Sequence, residues 1–137
     1  MPLADELQAI VGAQELYDWF GYWPRFHDAE IVSLHLNRSG RSSLLIHTWE
    51  MTNKIDEGGF YVREKHVMVE FILEGVSEME LGGFSHQNVI SSFDLESKNA
   101  GFLLSLHPCY GLSGTIEAQT VSIRLTPGKS SDRGETP

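Results

Sequence analysis

A second cysteine is missing. Cys109 stands alone in 137 residues, so the chain cannot close an intrachain disulfide or build a thiolate metal cage by itself, and a reducing, cytoplasmic setting is expected. Bases are scarce, with 10 Lys and Arg against 19 Asp and Glu and a net charge of −9. That balance repels a phosphate backbone, so nucleic acid is not an expected partner. No base precedes Arg25, whereas Asp5, Glu6 and Glu15 do, the reverse of a secretory leader's first segment. No apolar run reaches the roughly 20 residues of a membrane span, so no membrane partner is expected either. Familiar catalytic spacings are also lacking. There is no HExxH, the Ser113 context Gly111-Leu112-Ser113-Gly114 is not a nucleophile elbow, and Gly83 and Gly101 have no phosphate-loop company. No catalytic residue, cofactor or metal is assigned.

What the chain does have is enough apolar residue, 41%, for one domain with its own core, placed at residues 1–126. The tail 127–137, rich in Gly, Ser, Pro and charge, is expected to be flexible. Leu3, Leu7, Ile10 and Val11 recur at helical spacing, and Gly12 divides them from a second helical piece, Ala13 to Phe20, which Gly21 stops. From Val32 onward the period becomes two. Val32, Leu34 and Leu36 alternate with polar residues up to the turn signal Arg38-Ser39-Gly40-Arg41, and a partner strand follows from about Ser43 to Thr52. A longer loop is expected at 53–63. Val67, Val69 and Phe71 head a strand that Gly75 ends, and further strands are predicted at Met79 with Leu81, at 89–96, at 102–107 and at 115–126. One helical turn is allowed for within 84–91. Short gaps favour antiparallel neighbours. The expected fold is α+β: an N-terminal helical segment packed on a twisted, mainly antiparallel sheet of about six or seven strands. Val32, Leu34, Leu36, Val67, Val69, Phe71, Val121, Ile123 and Leu125 should face the core, covered by Leu7, Leu16, Tyr17 and Phe20.

The densest chemistry lies at the junction of helix and sheet, Trp23-Pro24-Arg25-Phe26-His27-Asp28-Ala29-Glu30-Ile31. Pro24 holds Trp23 extended, so a helix arriving there must stop. The structural expectation is that Asp28 caps turn amides and His27 packs between Trp23 and Phe26. The competing one is a small metal-assisted hydrolase using His27, Asp28 and Glu30, with His35 or His47 as a further ligand. His35, His47 and His66 fall on three strands that could be neighbours, but in no recognised metal spacing. A third alternative is a homo-oligomeric scaffold pairing through an outer apolar face such as Met68 with Ile72.

An interaction surface is the stronger candidate. Trp49, Met51, Phe60 and Tyr61 flank Asp56 and Glu57, and Glu64, Glu70, Glu74, Glu78 and Glu80 add carboxylates on nearby strands. Aromatics beside acids suit a basic protein partner, with charge speeding the encounter and buried rings slowing release.

The helical lead-in with Phe20-Gly21-Tyr22-Trp23-Pro24-Arg25-Phe26-His27-Asp28-Ala29-Glu30-Ile31, then Ser33-Leu34-His35-Leu36, resembles the start of the bacterial immunity protein 50 family. Val69-Glu70-Phe71 and Gly83-Phe84-Ser85-His86-Gln87-Asn88-Val89-Ile90 are similar to its later pattern. The resemblance spans about residues 10 to 125, with the FHDAE block its specific part. It implies a non-enzymatic binding protein that neutralises a cognate protein toxin of a polymorphic toxin system, and it is compatible with a homodimer. It makes Trp23, Pro24, Phe26, His27, Asp28 and Glu30 a family signature and carries over no catalytic residue.

Overall fold

Among the described residues two short helices lead into six strands: α1 (Asp5–Gln8), α2 (Ala13–Phe20), β1 (Glu30–His35), β2 (Ser42–Ile55), β3 (Tyr61–Gly82), β4 (Val89–Lys98), β5 (Gly101–Tyr110) and β6 (Ser113–Pro127). This is a computed structural model, and it describes residues 4–128. All strand neighbours are antiparallel, in the order β1-β2-β3-β6-β5-β4, and the sheet closes into a barrel where β4 returns to β1. The expected α+β architecture with an antiparallel sheet is present. Closure goes beyond that expectation and leaves the body of the barrel without a free edge.

The helices seal the interior. Leu7, Ile10, Ala13, Leu16 and Phe20 join Phe71, Leu73, Leu104 and Ile116 in one buried cluster. Gly12 sits at φ 91°, and a Cβ there would lie 1.8 Å from the Ile123 carbonyl oxygen. The glycine thus lets the chain run against β6, where Val11 bridges Ser122 and the Ile123 N–H donates to the Val11 carbonyl at 2.7 Å. The Gly21 N–H donates to the Tyr17 carbonyl and ends α2 as expected. Val11, however, is exposed rather than on the buried face. Leu3 lies outside the described residues.

Several expectations need correction, beginning with one that traces to a bulge. On β1 the register shifts between Ile31 and Ser33. An extra residue flips the alternation, so Ile31 is buried, Leu34 is half-buried and Val32 faces outward, while Leu36 is exposed beyond the end of the strand. Leu125 and Tyr17 are half-buried, while the other expected core residues of β3, β6 and the helices are buried. Gly75 does not end β3. It takes φ 67° inside a strand that runs on to Gly82, and a Cβ there would meet the Gln119 side chain at 2.7 Å. The register with β6 shifts just beyond it, at Val76/Glu78, so the glycine bends a continuous ladder and absorbs the separate strand expected at Met79. The loop expected at 53–63 shrinks to a turn at 56–60, because β2 reaches Ile55 and β3 begins at Tyr61. No helical turn forms within 84–91. The expected tail starts late: Pro127 pairs with Val67, and the Gly128 N–H donates to the His66 carbonyl. Its remainder, 129–137, lies outside the described residues.

Candidate functional site

The signature segment is a knot at the seam of the barrel. Phe26 and Asp28 both adopt positive φ, 60° and 64°. The chain turns tightly enough for the Ala29 N–H to reach the Phe26 carbonyl at 3.1 Å. The turn drives the Phe26 ring inward against Phe93 and Phe71, at centroid distances of 5.3 and 5.9 Å. Ala29, fully buried, leaves room for its backbone to pair with β4. The Asp28 N–H donates to the Ile90 carbonyl, the Ile90 N–H to the Ala29 carbonyl and the Ile31 N–H to the Asn88 carbonyl.

His27 is not packed between Trp23 and Phe26. It stands out of the turn, with Nδ1 3.1 Å from the Ser91 carbonyl oxygen and Nε2 3.5 Å from the Asp28 carboxylate. With φ positive at Asp28, the His27 and Asp28 side chains both face solvent. Glu30 diverges from this pair. Its carboxylate meets His47 Nδ1 at 3.0 Å, and His47 Nε2 lies 3.0 Å from His66 Nδ1. The hydrolase constellation is therefore split in two, and His35 joins neither half, being paired in register with Ser43. Among the described residues no three His, Cys, Asp or Glu side chains are placed to share a metal ion. The scaffold alternative loses its proposed face too, because Met68 is only 2% exposed.

Two grooves meet at the barrel end that carries this knot. One of 560 Å³ is lined by Trp23, Pro24, Phe26, His27 and Asp28 on one side and by Trp49 and Met51 on the other. The other, of 720 Å³, lies along the β2–β3 hairpin between His47, Met51, Phe60, Tyr61, Arg63 and His66. Met51 belongs to both, so the structure brings the signature and the aromatic candidates onto one surface. Phe60 is 72% and Tyr61 58% exposed there.

The acidic candidates divide. The Asp56 Oδ1 accepts the N–H groups of Gly58 and Phe60 at 2.9 and 3.0 Å, holding the hairpin turn, while Glu57 is exposed. Glu70 and Glu74 lie farther along β3, tied to Arg124 and Arg41, and do not line either groove. Tyr22 donates to Glu50 at 3.1 Å. Burial, then that hydrogen bond and the carboxylate's charge, hold its phenol above the usual value of 10.0.

Sequence inspection did not single out Arg63, whose guanidinium lies over the Trp49 ring at 4.5 Å, or Asn88. The buried Asn88 accepts from the Ser85 and Leu112 N–H groups and donates to the Ser85 carbonyl. A lone asparagine in a non-periodic stretch was its only sequence signal.

A family model described as Immunity protein 50 matches residues 12–126. No curated protein and no solved structure matches the chain.

Proposed function

The chain belongs to the immunity protein 50 family, and from that premise we propose that it is a non-enzymatic protein that neutralises a cognate toxin by one-to-one binding in the cytoplasm. The observation that carries this reading is the exposed aromatic end of the β2–β3 hairpin. Phe60, Tyr61 and Met51 project around a groove of 720 Å³ that adjoins the signature knot. Rings of this kind, exposed in the free protein and buried in a complex, are the residues that usually dominate binding energy. The net charge of −9, with Glu57 beside the rings, favours encounter with a basic toxin. Trp49, Met51, Phe60 and Tyr61 form the centre of the proposed contact, and Glu57 its rim. Glu70 and Glu74, neutralised by their arginines, contribute to the overall field only.

Affinity capture of the tagged chain from lysate of its own host, with a high-salt wash and native mass spectrometry, tests this. The expected result is a one-to-one complex with a protein that arrests growth unless this chain is co-expressed, and that is lost with a Phe60→Ala, Tyr61→Ala double variant. Capture of only a second copy of the chain, or a complex indifferent to the hairpin variant, overturns the reading.

A further inference from the structure

We propose that the hairpin groove recognises a carboxylate flanked by apolar side chains on the partner protein, with Arg63 as the residue that binds it. This inference takes from the reading above only that the occupant is a protein, and it adds the chemistry of the segment that enters.

The argument begins with charge. The net charge is strongly negative, yet the ionisable groups facing this groove are mostly nitrogen bases: His47, Arg63 and His66. The one carboxylate in its lining, Asp56, is drawn onto the amides of its own turn. Two neighbouring acids are paired elsewhere, and the exposed Glu57 lies outside the lining. Glu64 pairs with Lys54 at 3.3 Å and Glu50 with Lys65 at 3.5 Å, so no carboxylate among the described residues pairs with Arg63.

A guanidinium without an acid partner, held over an indole, loses less conformational freedom on binding than a free arginine does. It keeps its N–H donors for a carboxylate, which it can grip with two parallel bonds. Met51, Phe60 and Tyr61 line the same groove, and a partner that covers these exposed side chains strengthens such a bond by excluding water. An acidic chain gains no long-range steering toward an acidic segment, so the contact sets specificity and residence time, and the remaining acidic surface governs the encounter.

A random-peptide display selection against the full chain tests the sign of this recognition without requiring the toxin. Peptides pairing Asp or Glu with Leu, Phe or Trp are expected to be enriched. A fluorescence titration of the best one should weaken about tenfold or more in Arg63→Gln, be restored only in part by Arg63→Lys, and be unchanged in Glu74→Gln. Circular dichroism melts identify any variant that fails to fold, and Arg63→Lys serves if Arg63→Gln does. Enrichment of basic peptides, no enrichment, or acidic peptides bound equally by Arg63→Gln overturns the proposal. Those outcomes leave the toxin-capture result standing. Conversely, failure to capture a toxin leaves the peptide result intact.

Discussion

Phe26 combines a backbone conformation that bulky residues avoid, φ 60°, with 2% exposure. Such a strained residue persists only where its surroundings over-determine it, and here they do so through Phe71 and Phe93. Phe26→Ala should therefore lose about 3–5 kcal/mol in denaturant unfolding, the usual cost of deleting a buried ring. Asp28, at φ 64°, is favoured by backbone more than by its exposed contact with His27, since an exposed ion pair contributes little. Asp28→Ala should cost about 1 kcal/mol and Asp28→Gly almost nothing. If Asp28→Gly instead costs as much as Asp28→Ala in denaturant unfolding, the carboxylate matters more than the turn. At Tyr22 the folded state binds the phenolic proton more tightly than the unfolded one. The resulting stability is complete below the ordinary value of 10.0 and is lost as pH rises through the folded value. Phenolate absorbance should show one tyrosine ionising late, removed by Tyr22→Phe and shifted downward by Glu50→Gln.

Elements here are joined by backbone contacts that only glycine permits. α2 begins where Gly12 lies against β6, and both its φ and the 1.8 Å approach to the Ile123 oxygen forbid a side chain. Gly12→Ala should lower stability by at least about 2 kcal/mol, with the loss in the docking of both helices; an unchanged melting temperature would contradict that account. The helical segments were legible because Leu16 and Phe20 fall four apart on one face, and Gly21 stops them. The ends of β2 and β3 were not, since Asn53, Lys54 and Ile55 carry no alternating pattern, yet β2 runs through an irregular stretch to Ile55, which pairs with Tyr61. Gly75 misled for a physical reason: a glycine that ends an isolated strand and one that bends a paired ladder look the same in sequence.

At the scale of the whole molecule, the barrel is closed by its thinnest joint. β1 and β4 share one registered pair, Glu30 with Val89, reinforced by the backbone bonds around Ala29 and by the buried Asn88 side chain. Asn88→Ala strands the buried Leu112 N–H, which costs about 1–3 kcal/mol if left unpaired, while the Ser85 groups of the exposed turn can bond water. Amide exchange should accelerate at Ile31 and Ile90 first, while the central β3 and β6 amides stay protected to the global limit. Uniform acceleration across the sheet would mean that the seam does not open by itself. The knot, the seam and the two grooves lie at the same end of the barrel, so changes that loosen closure should also weaken partner binding.

The residue pattern by itself determined the helical lead-in and the antiparallel strands from β1 to β6, because periodicity and turn chemistry are local. Tertiary structure alone decided that the sheet closes, that Glu30 leaves His27 and Asp28 to join His47 and His66, and that Glu70 and Glu74 sit apart from the aromatic end. Those outcomes depend on which strands become neighbours and on bulges that shift register by one residue. A single such shift turns a side chain to the opposite face, and no count of residues along one strand can reveal it.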